Sequence, residues 1–89
     1  MVNAIVLINT GRKDIEKVGQ ELAAIEGVSE VFSVAGRVDL VATIRVKTNE
    51  ELAEVVAKRF ATVEGIEATE TLIAFQVYSR ELLEAGFAL

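Results

Sequence analysis

Apolar residues recur along the first third of the chain in two different spacings. Residues 3–9 are apolar on both parities and rich in β-branched side chains, which is typical of a strand covered on both faces. Across residues 14–25 the apolar positions recur every three or four residues, with Asp14 and Glu16 early in the segment. This pattern predicts a strand followed by an amphipathic helix that ends at Gly27.

The middle of the chain alternates between apolar and polar residues. Residues 28–34 alternate loosely and residues 38–47 more cleanly, and a turn at residues 35–37 with Gly36 at its centre separates them. Two alternating segments joined by a short glycine turn predict a β-hairpin.

The last third begins with a helix signal. Thr48 and Glu51 have the Ser/Thr-x-x-Glu form of a capping box, and an apolar stripe at helical spacing continues to Gly65. Residues 71–78 then predict a fourth strand. Ser79 is placed to cap a short helix over residues 80–84, ahead of an apolar tail, so residues 79–89 form a helix or tail after the main fold.

The predicted order is βαββαβ within a single domain over residues 1–89. It indicates an α+β, ferredoxin-like sandwich in which a four-stranded antiparallel sheet carries two helices on one face. Two helices cover only that face, yet the first and fourth strands are apolar on both parities. Because an apolar sheet face is too large to leave in water, we expect a second copy of the chain to cover it in a dimer.

Composition excludes several classes of function. The 89 residues include no His and no Cys, which removes disulfides, the usual zinc and haem ligands, and Ser-His or Cys-His catalysis. We therefore expect no catalytic residues, no metal site and no cofactor. A formal net charge of -5 argues against direct nucleic-acid binding. No apolar run is long enough to span a membrane, so we expect a cytoplasmic protein, and the few oxidisable and amide side chains suit a thermophile.

Two polar features are candidates for ligand binding. In the hairpin, the backbone N–H groups of residues 36–38 offer an anion cradle and Asp39 a partner for a cation, which together suit a zwitterion such as an amino acid. The alternative is a plain turn whose Asp bonds local backbone. Thr69 and Thr71 share one face of the fourth strand and offer two hydroxyls, although Thr is also an ordinary strand residue.

The hairpin at residues 34–40, the segment at residues 63–73 and the βαββαβ order together resemble the ligand-binding half of Lrp/AsnC transcriptional regulators, the RAM module. The resemblance covers residues 3–78. The helix-turn-helix of that family has no counterpart ahead of the first strand, so the chain resembles a stand-alone RAM module.

The resemblance implies a function and an assembly. It implies a non-enzymatic homo-oligomer, in which dimers form by sheet-to-sheet contact and assemble into octameric or larger rings. Amino-acid effectors would bind between dimers, and full-length Lrp/AsnC regulators are possible protein partners. Carried over residue by residue, the ligand-binding set is Gly36, Arg37, Val38, Asp39, Thr69 and Thr71.

Three alternatives stay open. A small dimeric α+β barrel enzyme shares this strand order, but Tyr78 is the one aromatic side chain here suited to its chemistry. An ACT-like regulatory domain also binds amino acids, with its ligand loop after the first strand, so a ligand beside Gly11 would favour it and a ligand beside Gly36 would favour the RAM module. A structural oligomer without a ligand is the third.

Overall fold

The computed structural model describes residues 1–11 and 14–81. Its elements are β1 (Val2–Asn9), α1 (Ile15–Ala23), β2 (Val28–Ser33), β3 (Leu40–Val46), α2 (Asn49–Ala53) and β4 (Ala68–Ile73). The helix α2 continues directly into a π-helix (Glu54–Arg59) and a 3₁₀ turn (Phe60–Thr62), so residues 49–62 form one helical segment. The predicted βαββαβ order is confirmed.

The four strands form one antiparallel sheet in the order β2-β3-β1-β4. The central strand β1 pairs on one side with β3, where Ile8 lies opposite Leu40, and on the other with β4, where Ile8 lies opposite Thr69. This strand order, with two helices on one face, is the predicted ferredoxin-like sandwich.

The core lies between the sheet and the two helical segments. Alternate residues of β1 and β3 point toward the helices, as the period of a strand requires, and they meet the apolar stripes of α1 and segment 49–62. The buried apolar residues are Ala4, Val6, Ile8, Val18, Leu22, Leu40, Ala42, Ile44, Val46, Leu52, Val55, Phe60 and Val63. The core therefore uses the positions that the helical and strand periodicities indicated.

The start of segment 49–62 forms the predicted capping box in a modified form. The Glu51 N–H donates to the Thr48 hydroxyl at 3.1 Å, which is the expected N-cap contact. The Glu51 carboxylate accepts the N–H of Lys47 at 3.0 Å, one residue ahead of the usual partner. Further along, the buried residues Val55 and Phe60 are five positions apart, and the helix between them is a π-helix, which is wider than an α-helix. The regular helical periodicity of the sequence did not predict this π-helix.

The fourth strand differs most from its prediction. It spans Ala68–Ile73 instead of residues 71–78. The bounds of β4 follow from its pairing with β1. At one end the Glu67 N–H donates to the Asn9 carbonyl at 2.7 Å, and at the other the Ala74 N–H donates to the Asn3 carbonyl at 2.9 Å. Beyond that point β1 has almost no residues left to pair with. The apolar run that suggested a longer strand leaves the sheet, and the Phe75 side chain is fully exposed.

Other boundaries move by one or two residues. The first helix ends at Ala23 instead of residue 25, although the Ile25 N–H still donates to the Leu22 carbonyl in a tighter last turn. The third strand begins at Leu40, which pairs with the last residue of β2, so Val38 and Asp39 belong to the loop. The predicted helix over residues 80–84 lies largely outside the described residues. Every helix in the described part is too short or too polar to cross a membrane.

The sheet face away from the helices is uncovered in the single chain and carries an apolar cluster beside polar residues, among them Thr43, Arg45 and Glu70. It carries the side chains that alternate with the core positions, and Ile5, Phe32 and Leu72 are 39%, 46% and 45% exposed. The half-buried Leu7 and Val41 lie on the same face. We call these five side chains the open face. It has the apolar character that the two-sided pattern of the strands predicted.

Candidate functional site

A cleft of about 500 Å³ opens at one end of the sheet, where β1 ends and where β3 and β4 begin. Neighbouring antiparallel strands run in opposite directions, so the end of β1 lies beside the residues that precede β3 and β4. The lining residues are Asn9, Gly11, Gly36, Arg37, Asp39, Glu67 and Ala68. The volume is within the range of small-molecule sites, about 300–1,000 Å³.

The loop between β2 and β3 forms one wall of this cleft. Within the described residues, the N–H groups of Gly36, Arg37 and Val38 donate to no other group of the chain. Gly36 has a φ of 156°, which residues with a Cβ rarely adopt, while a Cβ there would meet no atom within 4 Å. Glycine is therefore required by the backbone conformation of the loop and not by crowding.

Asp39 is held in place by the end of β1. Its Oδ2 accepts the Thr10 N–H at 2.8 Å and the Thr10 hydroxyl at 3.2 Å, and its own N–H donates to the Ile8 carbonyl at 3.0 Å. The plain-turn interpretation expected Asp39 to bond local backbone. The carboxylate instead contacts a residue 29 positions away in the chain.

Two residues at this end of the sheet, one lining the cleft and one buried beside it, were not singled out by the motifs. Glu67 lines the cleft, and its carboxylate lies against Gly11 in the space that a Cβ would occupy. The second residue is Thr10. A Thr at the end of a strand has no feature in the sequence that indicates a distant hydrogen-bond partner. Glu67 and Asp39 give the cleft two carboxylates, and Arg37 is the cation among the described residues that line it.

The two threonines lie elsewhere in the single chain. They share one face of β4, as predicted, because they pair with Ile8 and Val6, whose side chains point toward the helices. Thr69 lines a shallow hollow beneath segment 49–62 instead of the cleft. The structure thus brings Gly36, Arg37 and Asp39 together, places Val38 half-buried in the same loop, and keeps Thr69 and Thr71 on the far side of β1.

The cleft also changes the comparison with an ACT-like domain. Gly11, in the loop after β1, and Gly36, in the hairpin loop, line the same cleft. A ligand bound here would lie near both glycines, so its position beside one of them does not separate the two interpretations. The sequence had placed these loops at separate sites.

The chemistry available in the cleft is recognition of a small zwitterion. Backbone N–H groups and the Arg37 guanidinium can bind a carboxylate, and Asp39 and Glu67 can accept hydrogen bonds from an ammonium group. No group of three or more acidic, His or Cys side chains converges on a metal position within residues 1–11 and 14–81.

Known proteins similar to the chain are transcriptional regulators. A sequence profile described as the Lrp/AsnC ligand binding domain matches residues 3–83. The Regulatory protein AsnC of Haemophilus influenzae is 32% identical over 72 residues, which are 81% of this chain and 48% of that protein. The chain spans about half the length of the curated relatives it matches.

Two solved structures share the fold. A crystal structure of a protein from Thermus thermophilus is 44% identical, with a TM-score of 0.83, and the match covers 90% of this chain and 100% of that one. The feast or famine regulatory protein of Mycobacterium tuberculosis, solved with L-methionine, is 26% identical with a TM-score of 0.72. That match covers 90% of this chain and 54% of that one.

Proposed function

Because the chain belongs to the family of Lrp/AsnC ligand binding domains, we propose that it is an amino-acid-binding effector module in the regulation of transcription or amino-acid metabolism. The observation that carries this proposal is the meeting of unpaired loop N–H groups, Arg37 and Asp39 in one cleft. The α-carboxylate of the ligand binds the N–H groups of residues 36–38 together with Arg37. Its ammonium group binds Asp39.

The mycobacterial neighbour supports an amino acid as the ligand class, because it was solved with L-methionine. In our proposal the hydroxyls of Thr69 and Thr71 come from an adjacent subunit. Neither threonine is among the lining residues of the cleft within one chain, so an adjacent copy packed against the cleft is what would bring these hydroxyls to a ligand. The ligand then lies between dimers.

The dimer itself forms through the open face. Its exposed Ile5, Phe32 and Leu72 side chains favour burial against a second copy, since each buried apolar Å² contributes about 25 cal/mol. Assembly of dimers into rings brings the cleft of one dimer against its neighbour. Full-length Lrp/AsnC regulators contain a related module, so they are the protein partners that could bind to the open face and the cleft in place of a second copy.

The proposal assigns neither DNA contact nor catalysis to these residues. A net charge of -5 disfavours approach to phosphates. The enzyme alternative depends on Tyr78, which does not line the cleft and is 67% exposed. The Thermus relative supports the expectation of a thermophilic source.

Isothermal titration of the full chain with each of the twenty standard amino acids tests this function. We expect at least one to bind, and Asp39→Asn to weaken its binding about tenfold or more, because the amide removes the negative charge that faces the ammonium group. Glu21→Gln on the exposed surface of α1 removes the same charge outside the cleft and is the matched control. Absence of binding by all twenty to the intact oligomer would overturn the proposal.

A further inference from the structure

Thr10 is the one buried polar residue in the described part of the chain, 1% exposed. It follows β1 directly and precedes Gly11, which lines the cleft, but Thr10 itself is not among the lining residues. Burying a hydroxyl without a hydrogen-bond partner costs free energy, so we expect the Thr10 hydroxyl to be hydrogen-bonded.

Both donors of Thr10 bind the same carboxylate oxygen. Its backbone N–H and its hydroxyl donate to Asp39 Oδ2, at 2.8 Å and 3.2 Å. Any residue except proline could supply the N–H, whereas the hydroxyl requires Thr or Ser at this position. The side chain of residue 10 therefore adds a second contact from Thr10 to the one that its backbone N–H makes with the Asp39 carboxylate.

We propose that Thr10 is a positioning residue for ligand binding, which holds the Asp39 carboxylate in the orientation that receives the ligand's ammonium group. This inference rests on the proposed function. The hydroxyl adds a bond from the Thr10 side chain to Oδ2, and this added bond further restricts the rotation of the Asp39 carboxylate. A carboxylate that is already oriented loses less conformational entropy when the ligand binds, so the affinity for the ligand is higher.

The test compares Thr10→Val, which keeps the shape and removes the hydroxyl, with Thr10→Ser, which keeps the hydroxyl. Two probes are titrated calorimetrically: L-methionine, and 4-(methylsulfanyl)butanoate, the same molecule without its α-amino group. We expect Thr10→Val to weaken L-methionine binding about fivefold, the effect of one modest hydrogen bond, and to leave the affinity for the second probe unchanged. Thr10→Ser should restore the wild-type affinity for L-methionine.

An equal loss of affinity for both probes would overturn the proposal. It would mean that Thr10→Val disturbs the whole cleft and does not act on the site of the ammonium group. Failure of Thr10→Ser to restore affinity would also count against it.

A second measurement separates this inference from the proposed function. The unfolding free energies of Thr10→Val, Asp39→Ala and the double variant form a double-mutant cycle that needs no ligand. We expect the two effects to be non-additive, because the hydroxyl loses its partner in either single variant. If wild-type protein binds neither probe, the proposed function fails for methionine, while additivity in the cycle would independently overturn the role of Thr10.

Discussion

The carboxylate of Glu67 lies against the Cα of Gly11, in the space that a Cβ at residue 11 would occupy. Both residues line the cleft, and the Glu67 N–H is tied to the Asn9 carbonyl at 2.7 Å. The absence of a side chain at residue 11 thus decides where the Glu67 carboxylate lies. It also brings the loop after β1 and the residue before β4 into contact.

Gly11→Ala is expected to destabilise the fold by about 1–2 kcal/mol, since residue 11 has a φ of 68°, which is unfavourable for residues with a Cβ, whereas the exposed end of the Glu67 side chain can move away from the new methyl group at little cost. Urea denaturation followed by circular dichroism measures the change. Adding Glu67→Ala should leave most of this loss in place, because the loss comes from the backbone conformation of residue 11.

Gly19→Ala is the matched control for that substitution. Gly19 lies inside α1, and a Cβ there would be 3.6 Å from a Leu40 methyl carbon, an ordinary contact. We expect it to stabilise the protein by up to about 1 kcal/mol, because Ala favours helix over Gly. Equal stabilities for the two glycine variants would contradict the assigned role of Gly11.

Thr48→Ala should lower the free energy of unfolding by about 1 kcal/mol, because the Glu51 N–H loses the hydroxyl that caps the helix. Thr48→Ser keeps that acceptor and is expected to remain within a few tenths of a kcal/mol of wild type. Thermal unfolding by calorimetry distinguishes the two. A Ser variant as unstable as the Ala variant would mean that the Thr48 methyl group, and not its hydroxyl, is what matters.

Phe32→Glu is expected to convert the proposed dimer into monomers, since it places a charge on the open face, at the edge strand β2, where the second copy would cover it. Sedimentation velocity at several protein concentrations provides the measurement. Ala57→Glu adds the same charge at an exposed position of segment 49–62 and should leave the assembly unchanged. A Phe32→Glu protein that sediments like wild type would place the dimer contact elsewhere.

Leu22→Ala should destabilise the protein by about 2–5 kcal/mol, because Leu22 is fully buried between α1 and the sheet and its loss leaves a cavity. Ile73→Ala removes a similar aliphatic side chain that is 56% exposed, and its cost should be clearly smaller. Chemical denaturation of both variants at the same protein concentration checks the difference. Similar costs would mean that Ile73 is buried in the assembled protein.

Much of the fold could be predicted from residues close to one another in the chain. The capping box at Thr48 and the glycine turn at Gly36 mark boundaries through local bonds and backbone angles, and the structure has both. The end of the fourth strand could not be predicted in this way. Ile73 and Phe75 belong to one apolar run, but the strand stops between them because β1 offers no further partner.

The sequence by itself determined the element order, the core face of each element and the loop that carries Gly36 and Asp39, because helical and strand periods, caps and turns act between neighbours in the chain. Tertiary structure alone decided that Thr10 holds Asp39, that Glu67 lies against Gly11, and that Thr69 lies on the far side of β1. These relations depend on strand register. The alternating pattern restricts each strand to the registers that bury its apolar face, but which distant residues then lie side by side is decided only when the strands pair.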